Sequence, residues 1–177
     1  MRARSCTIDS SCLIALDHLD LVPQLSLLFS IVLVPQRVRA EISKLRSARD
    51  RLQNLFNAYD FLRRCDGYDQ GTVDFLLAER IRQGWQDRGE VEAVVQASQF
   101  GASVLVDDRW GRELAGREDL DCHGTLWILE RFYELGLLSS AALRGCLESL
   151  RRSETRLPWE TVNEILAQIG EQPLAPD

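Results

Sequence analysis

The chain is short of positive charge. Its 21 basic residues face 27 acidic ones, for a net charge of −6 and a pI near 5.0. That balance argues against a protein that holds nucleic acid by bulk cationic attraction. It leaves room for an acidic site that meets phosphate through recruited cations. Lysine is nearly missing: Lys44 is the only one, and arginine carries the remaining positive charge. Cysteine is present but not in pairs that make a framework. Cys6, Cys12, Cys65, Cys122 and Cys146 are odd in number and form no Cys-x-x-Cys, which excludes a zinc knuckle or disulfide scaffold and fits reduced thiols in a cytosol. No apolar signal core follows Met1-Arg2-Ala3-Arg4. The most apolar stretch, Leu19 to Val34, is broken by Pro23, Gln24 and Ser26, so no membrane span is expected and the expected location is cytoplasmic. Gly-x-Gly-x-x-Gly and P-loop signatures are missing too, which speaks against a nucleotide-cofactor enzyme. There is no internal repeat, low-complexity tract or clear linker.

What is present is an ordinary globular composition, 45% apolar and 27% charged over 177 residues. That is enough chain for one full hydrophobic core. Ser5 to Ile8 reads as a buried strand, followed by a turn at Asp9-Ser10-Ser11 that caps a helix through Leu16. Asp20 is placed to cap a second helix to about Leu28. Ile31 to Val34 is a β-branched run suited to a strand buried on both faces of a parallel sheet. Pro35 then suits the first position of a helix bearing Val38, Ile42 and Leu45. Leu52, Leu55, Phe56, Tyr59 and Leu62 fall at helical spacing. With Val73, Leu76, Leu77 and Ile81 beyond a turn at Cys65 to Gly71, they predict a helical hairpin over 47–85. Asp87 to Glu90 opens another helix, closed by Gly101. Ala102 to Val106 reads as a strand ending in Asp107-Asp108. A short helix follows over 111–116, then a strand near Leu120 to Cys122 and a helix from Thr125. Two last helices are expected near 139–150 and 158–169. Alternation of this kind predicts an α/β fold, a central parallel sheet of about four to five strands flanked by helices. The expected division is 1–138 for the sheet-bearing domain and 139–177 for a helical extension packed on it.

Four acids stand out by position. Asp9 ends the first strand and Asp108 a later one, where open parallel sheets bind ligands. Glu41 and Glu90 lie on helices that reach the same edge. Each alone has a plainer reading: a cap for Asp9, a solvated helix residue for Glu41, a response to the helix dipole for Glu90, a turn for Asp107-Asp108. Together they form a set of hard oxygen donors suited to Mg²⁺ or Mn²⁺. A metal so held activates water and stabilises charge on a cleaving phosphodiester.

The segments Thr7-Ile8-Asp9-Ser10-Ser11-Cys12-Leu13, Val32 to Glu41 (VLVPQRVRAE), Arg88-Gly89-Glu90-Val91-Glu92-Ala93-Val94 and Ala102 to Arg112 (ASVLVDDRWGR) resemble the successive motifs of PIN domains. Gly124-Thr125-Leu126 matches the same branch, and the resemblance covers about residues 7 to 138. It implies a three-layer PIN-like fold with extra C-terminal helices and an Mg²⁺- or Mn²⁺-dependent ribonuclease acting on RNA. Asp9, Glu41, Glu90 and Asp108 would be the catalytic and metal-binding quartet, with Ser10, Glu92 and Asp107 as secondary members. This chain has Glu90 where many PIN enzymes have Asp, and Val106 where many have Thr, Ser or Asn. The resemblance further implies the toxin of a toxin–antitoxin pair, silenced by a small antitoxin, and a homodimer. A catalytically inactive PIN-like module that binds RNA or protein is the alternative.

Arg109 and Arg112 follow the acidic pair and are candidates for substrate phosphate, with surface ion pairs as the plainer role. Arg37, Arg39, Arg46, Arg49 and Arg51 are a candidate basic rim for RNA. His123 beside a glycine turn reads as structural rather than as a general base. Trp85, Trp110, Trp127 and Trp159 read as packing residues before stacking platforms.

Overall fold

The structure is a computed structural model that describes residues 5–44, 46–82 and 88–174. Five strands, β1 (Ser5–Ile8), β2 (Ile31–Pro35), β3 (Leu62–Cys65), β4 (Ser103–Leu105) and β5 (Cys122–His123), form one sheet in the order β3-β2-β1-β4-β5. Every pairing is parallel. The expected α/β architecture, a parallel sheet flanked by helices, is therefore what the chain adopts. The chain builds outward from β1 to β2 and β3, then returns to the other side of β1 for β4 and β5. The strand order thus reverses between β1 and β4, and it is at such a point, in the crevice outside the strands' carboxyl ends, that open parallel sheets bind ligands.

The central strands are hydrophobic because helices cover them. Cys6, Ile8, Val32, Val34, Val104 and Leu105 have no exposed surface. The long crossover to β4 runs through α5 (Arg88–Phe100), whose residues Gly89 to Ala97 are all buried. It packs against β1, β2 and β4. Ala93, Val94 and Ala97 share one core cluster with Val104, Val106, Leu114 and Ala115. Two polar ties fix its height on the sheet. The buried Thr7 hydroxyl donates to the Ala93 carbonyl at 2.7 Å, and Gln96 Nε2 donates to the Cys65 carbonyl at 3.1 Å. Gly101 closes the helix at φ +58, a conformation that suits glycine.

The other helices of this part are α1 (Ser10–His18), α2 (Gln36–Ser43), α3 (Arg46–Ala58), α4 (Gln70–Arg82) and α6 (Arg109–Arg117). Four expectations are corrected. The helical hairpin over 47–85 is interrupted: α3 and α4 are separated by β3. In β3 only Leu62 is buried, and Arg63 and Arg64 face outward on the sheet's edge. A four-residue edge strand with one inward side chain carries too little alternation to stand out from helical spacing, and its arginines suit an exposed edge. Asp20 does not cap a helix. It sits at φ 56 just after α1, where Leu21 N–H donates to the Leu16 carbonyl and closes that helix. The following Val22–Leu27 is a 3₁₀ helix. Pro35 ends β2, paired with Cys65, so α2 begins one residue later. The last strand is Cys122–His123 rather than Leu120 to Cys122. Leu45 and residues 83–87, including Trp85 and Asp87, lie outside the described residues.

The chain divides into two compact units, Met1–His123 and Gly124–Asp177. The second holds α7 (Thr125–Glu134), α8 (Ser140–Arg152) and α9 (Trp159–Gln168). The helix from Thr125 therefore groups with the last two, whereas the sequence pattern suggested a division after Leu138. Ser139 caps α8 by accepting from Ala142 N–H at 3.2 Å. Asn163 exchanges two hydrogen bonds with the backbone of Leu174, which ties the tail to α9. Among the described residues no helix is long and apolar enough to cross a membrane.

Replacing Thr7 by Val keeps the shape of β1 and removes its tie to α5. Urea unfolding should show a loss of about 1 kcal/mol. An unchanged midpoint would mean that burial alone sets the height of α5.

Candidate active site

Asp9 is the first residue after β1. Its backbone N–H donates to the Leu105 carbonyl at 3.0 Å, which carries the strand pairing one residue past β1. The Val106-Asp107-Asp108 segment leaves β4 beside it. Two strand ends thus deliver carboxylates to the point where strand order reverses.

Asp9 is 1% exposed. It caps α1: Oδ1 accepts from Cys12 N–H at 2.8 Å and Oδ2 from the Ser11 hydroxyl at 2.7 Å. The cap reading was therefore correct as far as it went, but a cap is ordinarily a solvated group. Here burial, and then the charge of Asp107, push the Asp9 carboxyl up to about 7 against the pull of those donors. Asp107, half-buried, accepts from the Cys12 thiol at 3.3 Å. Asp108 caps α6, its Oδ1 accepting from Trp110 N–H at 2.8 Å and Gly111 N–H at 3.3 Å. Of the two adjacent acids, Asp107 is the one placed against Asp9.

Glu41 reaches the cluster from α2. Its Oε2 accepts from the Ser10 hydroxyl at 2.6 Å, and its Oε1 lies 3.3 Å from Arg37 Nε. It also lies over Gly89, where a Cβ would come within 2.9 Å of Oε2. Glu90, next on α5 and 7% exposed, stands against Gly111 of α6: a Cβ there would meet Glu90 Oε2 at 3.6 Å and Val106 Cγ2 at 2.6 Å. The two glycines are gaps through which carboxylates approach neighbouring helices. Contacts run in a closed loop from Asp9 and Ser10 to Glu41, to the start of α5 and Glu90, to Gly111 beside the Asp108 cap, to Asp107, and through Cys12 back to Asp9.

Glu92 stands apart in role. Its Oε2 accepts from Arg37 N–H in the first turn of α2 at 3.0 Å, and its Oε1 pairs with Arg88 Nε at 3.0 Å. Arg88 in turn holds Asp74 at 3.0 Å. Glu92 is thus a fastener between α2 and α5. Arg112 is exposed, with Nη1 donating to the Val106 carbonyl at 3.3 Å, so it lies at the edge of the cluster. Arg109 is 92% exposed and pairs with Glu113, which is the surface ion pair expected as its plainer role. His123 Nε2 lies 3.0 Å from Asp121 on β5's approach. Trp110 is half-buried against the core, and Trp127 and Trp159 lie under Arg131 and Arg151. Of the basic rim, Arg37 belongs to the cluster, Arg39 pairs with Asp66, and Arg51 pairs with Asp17 at 2.8 Å. The side chains of Arg46 and Arg49 lie outside the described residues.

The sequence pattern did not single out Cys12, Gly89 and Gly111 as parts of the site. A cysteine between serine and leucine reads as core. The glycines had a possible signal, since glycine in a helix's first two turns costs stability that some close approach must repay.

A family model described as a PIN domain matches residues 5–171 and so spans both compact units. The chain belongs to the PIN-domain family. PIN domains are generally nucleases, and the sheet with its acidic crevice is the nuclease-like scaffold of that family. No curated protein matches the chain. Among the described residues, no three His, Cys, Asp or Glu side chains are already gathered as a metal-holding group. The chemistry of the donor set nonetheless fits the divalent ions typical of PIN domains: carboxylate oxygens only, one of them on a group that burial and the charge of Asp107 push towards its protonated form.

The pH dependence of stability follows from Asp9. A carboxyl whose pKa rises on folding is protonated in both states below about pH 4, where it adds no penalty. Between there and about 7 the folded state retains a proton that the unfolded state has lost, so stability falls as pH rises. In chelator, Asp9→Asn should therefore raise Tm at pH 8, with a gain that shrinks towards pH 4. A loss at pH 8 would show that Asp9 is not strained by its charge. Gly89→Ala should leave the fold intact, since alanine favours a helix by up to about 1 kcal/mol, but displace the Glu41 carboxylate. The expected result is weaker Mn²⁺ binding by calorimetry at unchanged or higher Tm.

Proposed function

We propose that this PIN domain is a metal-dependent endoribonuclease that hydrolyses RNA phosphodiester bonds, with Mg²⁺ or Mn²⁺ held by Asp9, Glu41, Glu90 and, of the adjacent pair, Asp107. The observation that carries the reading is the burial of Asp9 beside Asp107 at the strand-order reversal. Like charges are brought together there at a cost to folding, which a bound cation offsets. A divalent ion bound there supplies charge neutralisation on the phosphate and an activated water.

The chain's own residues supply placement. Ser10 fixes Glu41 by its hydroxyl, and Arg37 shares that carboxylate. Arg37 and Arg112 are the guanidinium groups at the edge of the cluster, and guanidinium matches phosphate in a two-pronged contact. The motif resemblance supports a finer reading, that the chain is the toxin of a toxin–antitoxin pair. On this reading it works in the cytoplasm as a homodimer, and a small antitoxin silences it by covering the acidic crevice.

The second reading is a catalytically inactive module that binds RNA or protein. It is favoured by the engagement of the Asp9, Glu41, Asp107 and Asp108 carboxylates with protein donors and by the lack, among the described residues, of a gathered metal group.

Mn²⁺ titration of the wild type and Asp9→Asn by calorimetry separates the two. The enzyme reading expects binding that Asp9→Asn largely abolishes, Mn²⁺-dependent cleavage of single-stranded RNA, and growth arrest on expression that the same substitution relieves. No binding and no cleavage by the wild type would leave the inactive module. Binding and cleavage without growth arrest would retain the nuclease and remove the toxin.

A further inference from the structure

We infer that Cys12 is a positioning residue that holds Asp107, rather than Asp108, beside Asp9 at the site. The inference rests on reading the carboxylate cluster as functional.

Cys12 touches both acids. Its backbone N–H donates to Asp9 Oδ1 at 2.8 Å, and its thiol, which donates to Asp107 Oδ2 at 3.3 Å, also bears on the Asp9 carboxyl and favours its charged form. It has no exposed surface and is the third residue of α1. The two carboxylates come from adjacent strands and repel each other, and Asp107 is only half-buried, so solvent offers it a lower-energy place. A donor within the cluster opposes that escape. The thiol is a weak donor, but to a carboxylate, and inside the protein, its hydrogen bond is strengthened.

Asp108 is held differently. The same oxygen accepts from two successive backbone N–H groups at the start of α6, which directs that carboxylate to the helix end. The adjacent acids therefore divide their work, Asp108 starting a helix and Asp107 facing Asp9. Because the thiol is buried and donates its proton to a carboxylate, its part is geometric and not nucleophilic.

Two measurements test this. The first is the infrared S–H stretching band of Cys12, assigned by its disappearance in Cys12→Ser. It should shift in Asp107→Ala and stay in place in Asp108→Asn, which keeps a capping side chain. A band indifferent to Asp107→Ala overturns the inference. The second is Mn²⁺ affinity in Cys12→Val and Cys12→Ser, with circular dichroism as a check of folding. Valine keeps the backbone donor and fills the space but lacks the thiol donor, so affinity should fall about tenfold, as for other groups that orient metal ligands. Serine restores a side-chain donor and should recover most of the loss. Equal affinity in Cys12→Val and wild type, or no recovery with serine, overturns the inference. If the wild type binds no Mn²⁺, the metal reading fails and the infrared band alone decides: a shift in Asp107→Ala sustains the Cys12–Asp107 tie, and no shift removes it.

Discussion

The hydrogen bond from Asp9 N–H to the Leu105 carbonyl is the point on which the site depends. It extends the parallel pairing of β1 and β4 by one residue beyond β1, so the first side chain after β1 lies beside the residues that leave β4. Parallel neighbours point their carboxyl ends the same way, so acids placed just after them are brought to one edge of the sheet. In this chain those acids are Asp9 and Asp107. The packing that buries Ile8, Val104 and Leu105 also withholds water from Asp9. Formation of the core and strain in the carboxylate are consequences of the same geometry, and one cannot be relaxed without loosening the other.

The remaining contacts distribute that strain. Ser11 and Cys12 N–H offer Asp9 hydrogen bonds that favour its charged form, but burial and Asp107 outweigh them. Glu41 is steadied by Ser10 and Arg37, and Glu92 by Arg37 N–H and Arg88. Arg37 thus contributes its side chain to the cluster and its backbone to the fastener beside it. The position of α2 relative to α5, and with it the place of Glu41 over Gly89, is coupled to the Glu92 contact. That coupling explains how an acid with a purely structural set of partners lies two residues from one in the crevice.

Much of this was legible in the sequence because it follows from periodicity and strand ends. The β-branched run Ile31 to Val34 marked a buried strand, and Asp9 and Asp107-Asp108 stood where apolar runs stop. Glu41 and Glu90 could be assigned to helices and hence to the same edge. What escaped depends on contacts between segments distant in sequence. Nothing local distinguishes Asp107 from Asp108. Their different fates arise because one meets Cys12, 95 residues away in sequence, and the other meets the N–H groups of its own helix. β3 escaped because its single buried residue, Leu62, fits the preceding helical pattern equally well. The role of Glu92 escaped because its two partners sit on different helices.

On the nuclease reading, a net charge of −6 and a polyanionic substrate are ill matched until the charges are located. Long-range repulsion between exposed charges is screened over about 10 Å at moderate salt, so the net figure governs encounter more than the bound state. Within the crevice the order is reversed. Clustered carboxylates raise the local concentration of cations, and a divalent ion with open coordination positions presents positive charge to phosphate where the bare protein presents negative. The arginines at the edge, Arg37 beside Glu41 and Arg112 beside Val106, add fixed positive charge on either side. On the ribonuclease reading, the acidity of the site is then the means by which an acidic protein would attract RNA, and affinity for RNA would be conditional on the metal. A basic groove would hold RNA whether or not the chemistry was ready. An acidic crevice on the nuclease reading admits it only when the ion that supports cleavage is already in place.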